Sequence, residues 1–126
     1  MIDEKKEIVD VLLKYNAKPN NKNKDGDTPL YTAMIDDNKE IVDVLLKYKA
    51  NPNTPSRGGV TPLHMAVYNQ NFEIVSQLLT ANADPNIIDL EGLSPCIIQT
   101  SPEVKQLLTH RCDNVVLNQN IDSSVV

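Results

Sequence analysis

The stretch Gly59-Val60-Thr61-Pro62-Leu63-His64-Met65-Ala66 contains a helix start spelled out locally. The Thr61 hydroxyl can accept from the free N–H groups of a first helical turn, and Pro62 suits the first helical position, where its missing N–H costs nothing. The same device stands 33 residues away on either side, as Thr28-Pro29 and Ser94-Pro95. Other residues keep the step: Gly26, Gly59 and Gly92; Ile8, Ile41 and Ile74; Pro19-Asn20, Pro52-Asn53 and Pro85-Asn86. Residues 1–20 equal residues 34–53 at 16 of 20 positions. One fixed step shared by unrelated residue types is the mark of duplication, and a period in this range is that of stacked repeats.

Within a unit, the Thr-Pro pair opens one helix and an apolar run opens another. Ile41, Val42, Val44, Leu45 and Leu46 recur at helical spacing, with Asp43 and Lys47 toward water. Pro52, in Ala50-Asn51-Pro52-Asn53, cannot continue that helix. A turn-rich stretch up to Gly59 leads to the next Thr-Pro. One helix pair cannot bury both apolar faces alone, so the units must stack, and the fold class expected is an all-α solenoid.

The string Gly59 to Ala66 resembles the ankyrin signature G-x-T-P-L-H-x-A, and Glu73-Ile74-Val75-Ser76-Gln77-Leu78-Leu79 with Ala83-Asp84-Pro85-Asn86 resembles the rest of that repeat. The resemblance covers residues 1 to about 111. It implies a partial repeat at 1–22, full repeats at 23–55 and 56–88, a shortened C-terminal capping repeat at 89–111, and a loose tail at 112–126. In the last repeat four residues are missing around the inter-helix turn, which sets Gln99 against Ala66 and Glu103 against Ile74. Where the family has glycine, this chain has Asp37 and Gln70 between helices, and Lys49 and Asn82 at helix ends. Lysine tolerates a left-handed backbone less well than asparagine, so strain is expected near Lys49. The partial first repeat is expected to leave apolar atoms of the second uncovered, open to an upstream segment or to self-association.

Composition narrows the function. The net charge of -5 argues against nucleic acid. There is no run of 18 apolar residues to span a membrane, and the charged start Met1 to Lys6 does not read as a secretory signal. Cys96 and Cys112 are too few for a disulfide framework; a reducing, cytoplasmic setting is the simpler expectation, with Cys96 in the core and Cys112 in the tail. Zinc at Cys96, His110 and Cys112 lacks a fourth ligand and a C-x-x-C. The resemblance implies that His64 bonds backbone in the adjoining loop rather than acting as a base. Gly58-Gly59 is no phosphate loop, and the acids fall in turns and on polar faces. No enzyme site and no cofactor are expected.

The resemblance implies a protein partner, held by the loop tips and the inner face of the first helices. In the second repeat these positions are Lys24, Asp25, Asp27, Ile35 and Asp36. In the third they are Arg57, Val60, Tyr68 and Asn69, and in the fourth Leu90, Glu91 and Leu93. Together they read as an apolar strip with an acidic rim, with Tyr68 and Arg57 of the types enriched in binding hot spots. The other reading makes the repeats an arm of a larger enzyme, channel or secreted effector. Ser124 to Val126 also matches a C-terminal PDZ ligand.

Overall fold

In the computed structural model, residues 6–7, 9, 12–13 and 17–113 are described. These hold five complete helices and no strand: α1 (Pro29–Ile35), α2 (Lys39–Lys47), α3 (Pro62–Tyr68), α4 (Phe72–Thr80) and α5 (Pro102–Leu108). Lys6, Glu7, Val9, Leu12 and Leu13 are also helical. A tight turn, Arg57–Gly59, with Gly58 and Gly59 at positive φ, lies in the loop before α3.

Each start is built as its residues dictate. Thr28 and Thr61 cap α1 and α3, accepting from the N–H of Tyr31 and His64. Asn38, Asn71 and Ser101 cap α2, α4 and α5, accepting from Ile41, Ile74 and Val104. The ends are equally regular. Asp37, Lys49, Gln70 and Asn82 all have positive φ, 54°, 71°, 56° and 69°. At each, that residue's N–H and the next one reach back to close the helix: Lys49 to the Leu46 carbonyl and Ala50 to that of Leu45, for example. This is the Schellman closure, here made without glycine. Helix α2 therefore ends at this closure, ahead of Pro52.

The first helices form one row, α1 on α3, and the second helices another, with α2 on α4 and α4 on α5. Between the rows lies the core, in which Leu30, Val42, Leu63, Val67, Val75, Leu78 and Val104 are fully buried. The repeats are also tied at their edges. The Asn20 amide oxygen accepts from the Asn51 N–H at 2.6 Å, that of Asn53 from Asp84 at 2.7 Å and that of Asn86 from Asp113 at 3.0 Å. Lys39 and Glu73 pair at 3.0 Å, and the Glu73 carboxylate holds the Lys39 ammonium pKa above its ordinary value.

The fourth repeat departs from expectation in three ways. Ser94-Pro95 opens only a turn, with the Ile97 N–H on the Ser94 carbonyl. The chain is then drawn off by Thr100, whose hydroxyl donates to the Val67 carbonyl. Secondly, Ser101 starts α5, so Val104 and Leu108 occupy the places of Ile74 and Leu78 and are buried, while Glu103 is exposed. The shortening is split: Ser101 follows its counterpart Asn71 by 30 residues, and Asp113 follows Asp84 by 29. Thirdly, Cys112 is not loose: it forms a disulfide with Cys96, Cα to Cα 5.8 Å. The shortened repeat folds the end of α5 back beside the Cys96 turn, which the spacing of two lone cysteines does not reveal. The bond removes the ground on which a reducing compartment was expected.

Candidate partner-binding surface

The loop tips are hairpin-like turns set by one polar side chain each. The Asn23 amide oxygen accepts from the N–H of Asp25 and Asp27. The Asp89 carboxylate accepts from those of Glu91 and Leu93 in the same manner. In the third repeat, the Ser56 hydroxyl donates to the Val60 carbonyl instead. The turns differ in kind. Gly58, the second central residue of the 56–59 turn, has φ 78° and ψ 7°, the geometry of a type II turn. Asp25 and Glu91, at the matching positions, have no positive φ.

Neighbouring tips consequently meet differently. The Leu90 N–H donates to the Gly58 carbonyl at 2.9 Å, and a Cβ on Gly59 would stand 3.2 Å from the Asp89 Cα, so the third and fourth tips are closely joined. Between the second and third tips, no backbone bond is formed among the described residues. There the surface opens into a cleft of about 460 Å³ lined by Asp25, Asp27, Tyr31, Ile35, Ser56 and Arg57. Four of the residues read from the sequence thus converge on one place, joined by Tyr31 and Ser56, which that reading passed over. Tyr31 could have been found: it holds the position of His64 one repeat earlier, with no counterpart of the histidine's bonds to use it.

The other expected residues spread around the cleft. Ile35 and Tyr68 stand at matching positions at the ends of α1 and α3, both about half exposed, 57% and 50%. Leu90 projects from the fourth tip at 84% exposure. Lys24, Asn69 and Glu91 are exposed, whereas Val60 and Leu93 are half-buried and Leu93 packs on the core. Asp36 lines a different recess, at the end of the stack ahead of α1.

His64 is fully buried and wholly engaged. Its Nδ1 accepts from the Thr61 N–H at 3.1 Å, and its Nε2–H donates to the Leu93 carbonyl at 2.7 Å. It joins the third repeat to the fourth loop, the backbone role that the resemblance implied. Among the described residues no group of three His, Cys, Asp or Glu is placed to hold a metal, and no helix is long and apolar enough to cross a membrane. Ser124 to Val126 lie outside the described residues.

A family model of ankyrin repeats, in three copies, matches residues 2–89. The chain belongs to the ankyrin-repeat family. Among solved structures it is similar to the ankyrin repeat domain of Bcl-3, described as a unique member of the IkappaB protein family. The identity is 27% and the TM-score 0.78, over 82% of this chain and 46% of that one. The chain thus spans about half the length of that ankyrin domain. No curated protein sequence matches it significantly. Ankyrin repeats are in general protein–protein interaction modules, and a protein partner is the coarse expectation for this one.

Proposed function

We propose that this ankyrin stack is a protein-binding module whose partner enters the cleft between the second and third loop tips. The observation that carries this reading is the opening of those two tips beside the bonded third and fourth. The cleft offers carboxylates at Asp25 and Asp27, a guanidinium at Arg57, a phenol at Tyr31 and an apolar wall at Ile35. Such a site suits an apolar anchor flanked by basic residues, with Tyr68 and Leu90 extending the contact along the row.

The test is capture of binding proteins by the intact chain, beside one carrying Arg57→Glu, Tyr68→Ala and Leu90→Ala. All three side chains are exposed, so the variant should keep its fold, checked by circular dichroism. A protein held by the parent, lost by the folded variant and weakened by Arg57→Glu alone supports the cleft. Equal capture by both rejects it.

A second reading, consistent with the match to 46% of the Bcl-3 ankyrin domain, makes these repeats an interaction arm or a fragment of a larger multidomain enzyme, channel or secreted effector. In either reading the disulfide fits an oxidising compartment better than the cytoplasm.

A further inference from the structure

At the other end of the stack, ahead of α1, lies a recess of about 400 Å³ with an apolar floor of Val9, Pro29, Ala33, Ile41 and Leu45. We propose that it docks a short helix of a partner protein, built like α1 but carrying a cation at its C-terminal end.

The repeat itself says what shape fits. One period further on, the floor is Val42, Pro62, Ala66, Ile74 and Leu78, and every one of these is buried. What covers that counterpart is α1, which packs on both α2 and α3 with Leu30, Ala33 and Met34 buried. At the open end, Pro29 and Ile41 are only half-buried, and Leu12 is 55% exposed where Leu45 and Leu78 are 2% and 0%. The guest is therefore a helix with leucine, a small residue and a larger apolar residue at successive positions i, i+3 and i+4.

The rim says how the guest differs from α1. Among the described residues, Asp27 and Asp36 border the open recess against one cation, Lys22. Their counterparts one period on, Val60, Asn69 and Pro55, are uncharged. Because repeats are related by translation, a guest seated as α1 is seated runs parallel to it. Its C-terminal end then lies beside Asp36, the residue that ends α1. A lysine or arginine there meets both the carboxylate and the negative end of its own helix dipole, whereas α1 has no basic residue in its last turn. Asp27 borders both this recess and the cleft at the loop tips, but the apolar floor here takes no part in that reading and is tested independently of it.

Two fluorescent peptides titrated with the full chain test the proposal: one copying residues 23–38, and one copying them with Asp36→Lys and Asp37→Lys. The lysine peptide should bind about three-fold tighter at low salt, with the advantage shrinking at high salt. Thr32 is exposed and lines the recess. Thr32→Arg in the chain should fill it and weaken binding roughly ten-fold while leaving the helical signal intact. Because a free peptide must also fold, the lysine segment is separately joined ahead of Met1 through a Gly/Ser linker. The joined segment should raise the thermal midpoint, and Leu30→Asp within it should abolish the rise. No binding by either peptide together with no rise on joining overturns the proposal. So does binding that survives Thr32→Arg, or a dimer that Thr32→Arg dissolves, which would make a second copy the occupant.

Discussion

Lys49 holds a left-handed backbone at φ 71° because the chain must turn there, not because lysine favours it. The closure it makes, with Lys49 on the Leu46 carbonyl and Ala50 on that of Leu45, needs that conformation whatever the side chain. A Cβ in this region costs about 1 kcal/mol relative to glycine. Lys49→Gly should therefore stabilise the protein by about that amount, read as a higher urea midpoint with an unchanged slope. Asn82→Gly, at the same position one repeat on, should gain less because asparagine already tolerates the conformation. Equal gains at both sites would show that lysine is not the strained member. His64 gives the opposite case. Substituting leucine keeps the bulk but strands the Thr61 N–H and the Leu93 carbonyl, both bonded to the ring. A buried group left without a partner costs about 1–3 kcal/mol, so His64→Leu should destabilise by at least that, measured by the same titration. A neutral result would mean that the ring acts only by filling space.

At the scale of elements, legibility in the sequence followed locality. The starts of α1 and α3 were readable because the capping residue and its proline are adjacent, and the left-handed positions because all four fall where the family has glycine. The start of α5 was equally available. Ser101-Pro102 is the same pair as Thr61-Pro62, but a direct count of missing residues put Glu103 at a core position that Val104 fills. The disulfide was not readable. It depends on how far the shortened repeat brings the end of α5 back toward Cys96, a distance that sequence separation does not give. Nor was the cleft: several of its residues were named, but its opening follows from one turn differing in type from its neighbours. The Gly58-Gly59 pair is the mark of that turn. The bond between Cys96 and Cys112 spans 16 residues, and closing a loop of that size is worth about 3 kcal/mol. Cys96→Ser with Cys112→Ser should lower stability by up to that amount and speed amide exchange in α5 ahead of α4. Unchanged exchange in α5 would show that the Ser101 cap and the Asn86 bonds to Arg111 and Asp113 hold the element unaided.

A stack in which each repeat touches only its neighbours gains stability from its interfaces, so its ends are weakest and its middle strongest. The two ends here are unlike. The C-terminal one is closed by a disulfide, by the Arg111 guanidinium on the Leu79 carbonyl and by Thr100 on that of Val67. At the other, Leu12 is exposed and Ile41 half-buried over an open recess. Opening should begin at the open end. Native-state amide exchange should then rank α4 slowest, α2 faster, and the helical residues around Leu12 and Leu13 fastest, with α5 near α4 while the disulfide is intact. Adding reductant should move α5 toward the fast group and leave α2 unchanged, since the two are separated by α4. If reductant instead speeds exchange equally in α2 and α5, the stack opens as one cooperative unit. The difference between its ends would then have no part in its stability.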